Sequence, residues 1–476
     1  MSKKRLGSLL LLTAVVMFGL GFVTGILFTV TDKTVTSTQS YVASEQPTYV
    51  ISTDGTTIRA LSTATGKVEF SGTDAATIIM DAAVPNSKVL IKAGTYIVNK
   101  EITIENSNVE LYGEGQTVSI LKEAAGADCD IIGMSQVSNI YIHDLQLDGN
   151  RLNEAFSNSS EGNGIIAWRV TALTIANNYV HDNRNFGINI SECTNTQVLN
   201  NLIVNSDANG ITVDNQGGGS RGGIVARGNT VNGASDVGIT SWYGYDFLAQ
   251  NNTIENVMMN TSPYAANSHV GMYVEQGGSK ITYRGNQIEN VGTALEATGG
   301  TAILFDANTA HNCLIAFYAD HVNGLTLTNS TFDGIPTAPK ADLPYYALDL
   351  DPEITSAIVT GNQFIKFNVT SGIVIALNPP NGTFSDNTID TANGTYQAIY
   401  IRTPSGWTLQ NNTIITTTST TAPTSTTTAL SHPSLHPRDE LPLAVTPDSN
   451  GWYVSLTSLP RNLSKCFLKS TGLEGS

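Results

Sequence analysis

Four side chains of this 476-residue chain stand at matching places in a repeated phrase, and their types suit acid–base chemistry beside an aromatic platform. They are Asp214, Trp242, Glu275 and Asp306, each at the end of a short apolar segment, most often of the form Gly-(Ile/Met)-x-(Val/Ile)-x. A carboxyl group can give or take a proton, or attack an acetal carbon, while an indole face can carry a sugar ring. If the segments stack as strands, one per coil at ~4.8 Å, Glu275 and Asp306 lie ~5 Å apart and Asp214 and Glu275 ~10 Å apart. The first spacing suits a retaining glycosidase and the second lies near the inverting limit. Stacked carboxylates also raise one another's pKa or invite a cation such as Ca²⁺, although this chemistry requires no cofactor.

A second group falls in the turns that lead into the same segments: His181, Asp182 and Arg184, then Asp207, then Asp236, then His269. Asp236 and His269 are candidate acid–base neighbours. Arg184 and Asp207 are candidate substrate contacts, because a guanidinium grips the carboxylate of a uronic acid in a bidentate fork. Asp in a turn also needs no ligand to explain it. Tyr243, Tyr245 and Tyr273 add aromatic surface beside Trp242, and the insertion at 256–269 is expected to wall one side of the groove. The alternative is a solvated acidic ladder on a glycan-binding or spacer protein that catalyses nothing.

The repeat itself positions these residues. LTIANNYV (173–180) with FGINIS (186–191) is followed by QVLNNLIV (197–204) with NGITVD (209–214), then IVARGNTV (224–231) with VGITSW (237–242), then FLAQNNTI (247–254) with VGMYVE (270–275). The recurrent Asn178, Asn201, Asn229, Asn252, Asn286, Asn329, Asn362, Asn387 and Asn412 are spaced by 23, 28, 23, 34, 43, 33, 25 and 25 residues. A period in the twenties with variable excess marks a solenoid whose insertions fall in loops. Alternation of period two makes the segments strands, and two or three short strands per period make one coil of a parallel β-helix. Stacked Asn amides can hydrogen-bond from coil to coil, and Asn accepts the left-handed corner that such coils need.

Upstream, Asp74 offers an N-cap for a short apolar helix from Ala75 to Val84, stopped by Pro85. KVLIKAGTYIV (88–98) follows, then EITIENSNVELYGEG (101–115) and NIYIHDLQLDGNR (139–151). These phrases resemble the N-terminal entry of the pectate-lyase superfamily of right-handed parallel β-helices, over roughly residues 70–415. The resemblance implies an all-β, right-handed parallel β-helix with a capping helix, and a polysaccharide as partner. It fixes no single reaction. Asp214 matches the second-coil Asp of mannuronan C5-epimerases, but Asn189-Ile190-Ser191 stands where they carry Asp-Pro-His. The Asp-Asp, Gly-His-Gly and Arg-Ile-Lys motifs of polygalacturonases are missing, as is the Arg-x-Pro-x-x-Arg of Ca²⁺-dependent pectate lyases.

Lys3, Lys4 and Arg5 precede an uncharged, mostly apolar run from Leu6 to Thr31, long enough for a bilayer span of ~20 residues. This predicts an uncleaved membrane anchor over 1–31, with a cleaved signal peptide as the alternative, and a cell-surface or extracellular location. Residues 32–48 read as a stalk, 49–415 as the β-helix, 416–440 as a Thr/Pro-rich linker and 441–476 as a poorly ordered tail. Asn-x-Ser/Thr sequons, among them Asn251, Asn260, Asn329, Asn368 and Asn381, fit an exposed glycoprotein. A net charge of −16 disfavours nucleic acid as a partner. Cys129, Cys193 and Cys313 show no metal-finger spacing and read as core positions.

Overall fold

The computed structural model describes residues 46–154, 161–217, 221–257, 269–334, 346–391 and 395–416, with short backbone pieces at 447–448 and 451–452. Within them the repeat winds through three parallel ladders, here called faces A, B and C, once per coil. One coil runs Ile132–Ser135 on face A, Ser138–His143 on face B and Gln146–Asp148 on face C before Ile165–Trp168 returns to face A. Face A then stacks Ile188–Ser191, Ile211–Asp214, Val237–Trp242 and Val270–Glu275 in chain order, all parallel. Every second side chain turns inward: Ile188, Ile211, Ile239 and Met272 are fully buried, as the alternation requires. Phe247, Tyr283, Phe305 and Phe317 meet edge to face along the core, with ring centroids 5.0 to 5.8 Å apart.

The glycines that open the face A strands are there for room. A Cβ on Gly210 would lie 2.3 Å from Val231 Cγ1 and 2.7 Å from the Gly238 carbonyl. The paired Asn residues before face C divide two tasks. Asn177 and Asn200 take the left-handed corner, at φ 55° and 53°. Asn178 and Asn201, buried beside them, form the ladder. Asn178 donates its backbone and side-chain N–H to Asn201 Oδ1 at 3.0 Å each, and Asn201 does the same to Asn229. The chain of bonds continues through Asn252, Asn286 and Asn308, and resumes from Asn362 through Asn387 to Asn412. Each Nδ2 also returns a bond to a carbonyl of an earlier coil, so buried donors and acceptors are matched throughout.

Two expectations about register change here. The 43-residue gap between Asn286 and Asn329 hides two coils of 22 that run to Ser330: Asn308 is the missing rung, and the next rung is Ser330, whose hydroxyl accepts from the Asn308 N–H. Asn329 instead takes the corner, at φ 51°. The chain from Gln287 to Asp306 passes from face C through face A to face B with no loop between them, turning only at tight corners where Asn290 and Ala302 are left-handed, each at φ 57°. With no insertion to punctuate it, the face A segment at 293–298 carries no Gly-Ile phrase.

At the N-terminal end, Tyr49–Thr53, Ile58–Ser62 and Lys67–Gly72 form an antiparallel meander, joined in parallel to Lys88–Ile91. A helix spans Ala75–Ala82. Asp74 caps it, accepting from the Ala76 and Thr77 N–H groups at 3.1 and 3.4 Å. Its Ala75, Ala76, Ile78, Ile79 and Ala82 are buried in the solenoid core. Cys129, Cys193 and Cys313 are buried free thiols. The expected anchor at 1–31, most of the stalk, the linker beyond 416 and nearly all of the tail lie outside the described residues. No helix among the described residues is long and apolar enough to cross a membrane.

Candidate active site

Strand pairing puts Ser191, Asp214, Trp242, Glu275, Thr298 and Asp320 in one outward column of face A, one residue per coil. Two residues earlier runs a second outward column, Asn189, Thr212, Thr240, Tyr273, Glu296, Tyr318 and Asp349. Asp214 and Glu275 are therefore two coils apart with Trp242 between them, roughly 10 Å along the ladder.

Both carboxyls sit where ionisation is costly. Burial pushes Asp214 up to about 6, although it accepts hydrogen bonds from the Gln216 N–H at 2.8 Å and the Ser191 hydroxyl at 3.4 Å. Burial again, with repulsion from Asp236, Glu296 and Asp214, pushes Glu275 up to about 7. Tyr273, one step back on the same strand, donates to or accepts from Thr298 Oγ1 at 2.8 Å. Its phenol is raised by burial and by the fields of Glu296 and Glu275. Asp236 and His269 precede the neighbouring strands Val237–Trp242 and Val270–Glu275, and His269 Nδ1 lies 3.2 Å from the Ser235 carbonyl. The result is a set of interacting acids around one indole, with two of them held near neutral pKa. Such a pair can protonate a leaving oxygen and accept a proton from water.

Asp306 does not belong to this set. It ends the face B strand, where its Oδ2 accepts from Arg284 Nε at 3.0 Å and its Oδ1 from Thr328 and Asn329 at 2.8 and 3.0 Å. The ~5 Å pairing with Glu275 is thereby removed, and with it the retaining geometry. Glu296, 4% exposed on face A, is the carboxylate that the misread coil concealed. Two spacings of 22, from Asn286 to Asn308 and from Asn308 to Ser330, are the signal that could find it.

Arg184 is only 3% exposed and holds Asp128 at 2.6 Å, so it is tied into the solenoid wall and offers no fork to a substrate. Asp207 accepts from Arg151 at 2.6 Å, and burial raises its pKa against that bond. His181 ends a face C strand and shares a hydrogen bond with Asp182 at 2.8 Å. Tyr245 begins a face B strand and accepts from Lys280 Nζ at 2.9 Å, so it leaves the carboxylate column to Trp242. Tyr243 stays beside it, its ring 6.2 Å from that of Trp242 and its hydroxyl donating to Gln276 at 2.8 Å. The expected loop wall at 256–269 falls mostly on 258–268, outside the described residues.

Among the described residues, two groups of side chains bring three metal-ligating atoms within 4.8 Å of one another. Asp320, Asp351 and Glu353 lie farther along face A, with the Tyr318 hydroxyl donating to Asp351 at 2.9 Å. Asp148, His181 and Asp182 lie at the face C corner, where Lys122 and Arg151 already supply positive charge.

The family described as "Right handed beta helix region" matches residues 87–256 and 247–414. No curated protein matches the chain in sequence. Among solved structures, the A-module of mannuronan C-5 epimerase AlgE6 from Azotobacter vinelandii is similar with a TM-score of 0.54 at 16% identity, over 72% of this chain and 94% of that one. A GH87 α-1,3-glucanase catalytic unit from Streptomyces thermodiastaticus gives 0.45 at 18% identity, over 71% and 65%. Pectate lyase Pel9A gives 0.38 at 13%, over 54% and 70%. At these identities the likeness carries the fold alone.

Proposed function

We propose, from the premise that this chain belongs to the right-handed β-helix family, that face A hydrolyses glycosidic bonds of a polysaccharide. The observation that carries the proposal is the pair Asp214 and Glu275 on either side of Trp242, their carboxyls raised to about 6 and about 7. Glu275, the weaker acid, holds its proton at near-neutral pH and delivers it to the glycosidic oxygen as the C1–O bond breaks. Asp214, the stronger acid, is ionised there and takes a proton from the water that attacks C1. The products are a new reducing end and a free hydroxyl, with configuration inverted, since two coils of separation lie near the upper end of the ~6.5–9.5 Å inverting range. Trp242 and Tyr273 offer ring surface to the sugar, and burial, aided by repulsion from Asp236 and Glu296, favours the protonated form of Glu275. The reaction needs no metal.

The test is release of reducing ends from a polysaccharide panel by the full-length chain and by Glu275→Gln. The wild-type rate is expected to fall ~10²–10⁴-fold in the variant, the usual worth of a general acid. We further propose that the run from Leu6 to Thr31 is an uncleaved anchor, holding the solenoid at the cell surface. Membrane fractionation should then recover the full-length chain, whereas a released form beginning near residue 32 would identify a cleaved signal peptide.

A further inference from the structure

We infer that the polysaccharide hydrolysed on face A is an uncharged one, an inference that rests on the hydrolase reading above. Among the described residues the segments paired on face A, from Ile102–Ile104 through Gln397–Ile401, contain no Lys, Arg or His, yet they carry Asp214, Glu275, Glu296, Asp320 and Asp349; His321, at the corner that follows, pairs with Asp320 at 2.6 Å, two coils from Glu275. This is not a matter of overall composition. Face B strands hold Lys88, Arg227, Lys280 and Arg284, and face C strands hold Lys122, His181 and His311. Guanidinium groups that flank face A are paired with carboxylates: Arg169, which lies over the Trp168 ring at 4.1 Å two coils before Asp214, with Glu192 at 2.6 Å, Arg184 with Asp128 at 2.6 Å and Arg151 with Asp207 at 2.6 Å. Arg402 stands at the far end of the Glu275 column, five coils away by register.

A polyuronate carries one carboxylate per ring, and a chain laid along this face would set them against a column of carboxylates. Recognition of such a polymer calls for Arg or Lys at the rings, because charge-assisted forks outweigh the cost of stripping water from the carboxylate. Face A supplies none. An amine-bearing polymer would meet attraction instead, but an ammonium beside Glu275 favours the ionised carboxylate and removes the proton that the leaving oxygen needs. A neutral hexose polymer avoids both conflicts. Its hydroxyls can donate to the carboxylates, and its ring faces can lie on Trp242 and Tyr273, both partly exposed on this face.

The experiment compares kcat/KM of the full-length chain on neutral α- and β-glucans and galactan, on polygalacturonate and polymannuronate, and on chitosan. Assays run at about 10 mM and about 300 mM salt, which bracket strong and weak screening. The expected result is cleavage of a neutral polymer at least ~10-fold better than any charged one, changing less than ~2-fold with salt. Cleavage of a polyuronate or of chitosan as efficient as that of every neutral polymer would overturn the substrate assignment and leave the hydrolase reading standing. Neither cleavage nor binding of any member would overturn both.

Discussion

At the scale of single residues, the proposed hydrolysis turns on two carboxyls that burial raises toward neutrality, Asp214 and Glu275. Activity should need Asp214 ionised and Glu275 protonated. The pH profile of kcat/KM is therefore expected to be bell-shaped, with limbs near about 6 and about 7. A profile still rising at pH 9 would remove Glu275 as the acid. Trp242→Ala should raise KM ~10-fold or more with a smaller loss in kcat, because a ring platform binds ground and transition states alike. Asp306→Asn should leave kcat and KM unchanged, since its carboxylate serves Arg284 and Thr328 on face B. Loss of turnover in that variant would reinstate the column read from sequence.

At the scale of elements, the solenoid was legible where its punctuation is regular. Asn178, Asn201, Asn229 and Asn252 each follow a corner residue and precede a two-residue apolar step, so strand type, period and inward side chains could be read directly. The solenoid is not legible between Gln287 and Thr328, where two 20-residue stretches cross all three faces through single-residue corners such as Asn290 and His321, with no loop and no Gly-Ile phrase. Alternation of period two survives such a stretch, but it does not say which face a residue occupies. Asp306 was thus assigned to face A, and Glu296 and Asp320 were missed. Arg184 failed for a different reason, because burial beside Asp128 depends on contacts 56 residues apart in the chain. The ladder itself makes a testable claim. Asn229→Ala leaves the buried amide donors of Asn201 without an acceptor, and should cost about 3 kcal/mol or more. Asn411→Gly, at an exposed left-handed corner (φ 54°) that glycine accepts without strain, should cost under about 1 kcal/mol. Equal denaturation midpoints for the two variants would show that the buried amides do not hold the coils in register.

At the scale of the whole molecule, stability and the proposed activity draw on the same buried acids. Burial pushes Glu123 up to about 8 and Asp130 up to about 7, while Asp214 and Glu275 rise to about 6 and about 7. Their model-compound values are 4.5 for Glu and 3.8 for Asp. The fold therefore binds more protons than the unfolded chain across this range. These groups stabilise it fully below about pH 4 and lose that contribution as pH rises through 6 to 8. Thermal midpoints should fall from pH 5 to pH 8, and Glu123→Gln combined with Asp130→Asn should flatten the slope. A midpoint that rises over that interval would contradict the burial of these acids.

The central claim, that Glu275 donates the proton to the leaving oxygen, is tested most directly by changing the leaving group. On the natural glycan, Glu275→Gln is expected to lose ~10²–10⁴-fold in kcat/KM. On a glycoside of the same sugar whose phenolate leaves without protonation, the same variant should lose less than ~10-fold, and Asp214→Asn should not be spared. Equal losses of Glu275→Gln on both substrates, or an unchanged rate on the glycan with the fold intact, would contradict it.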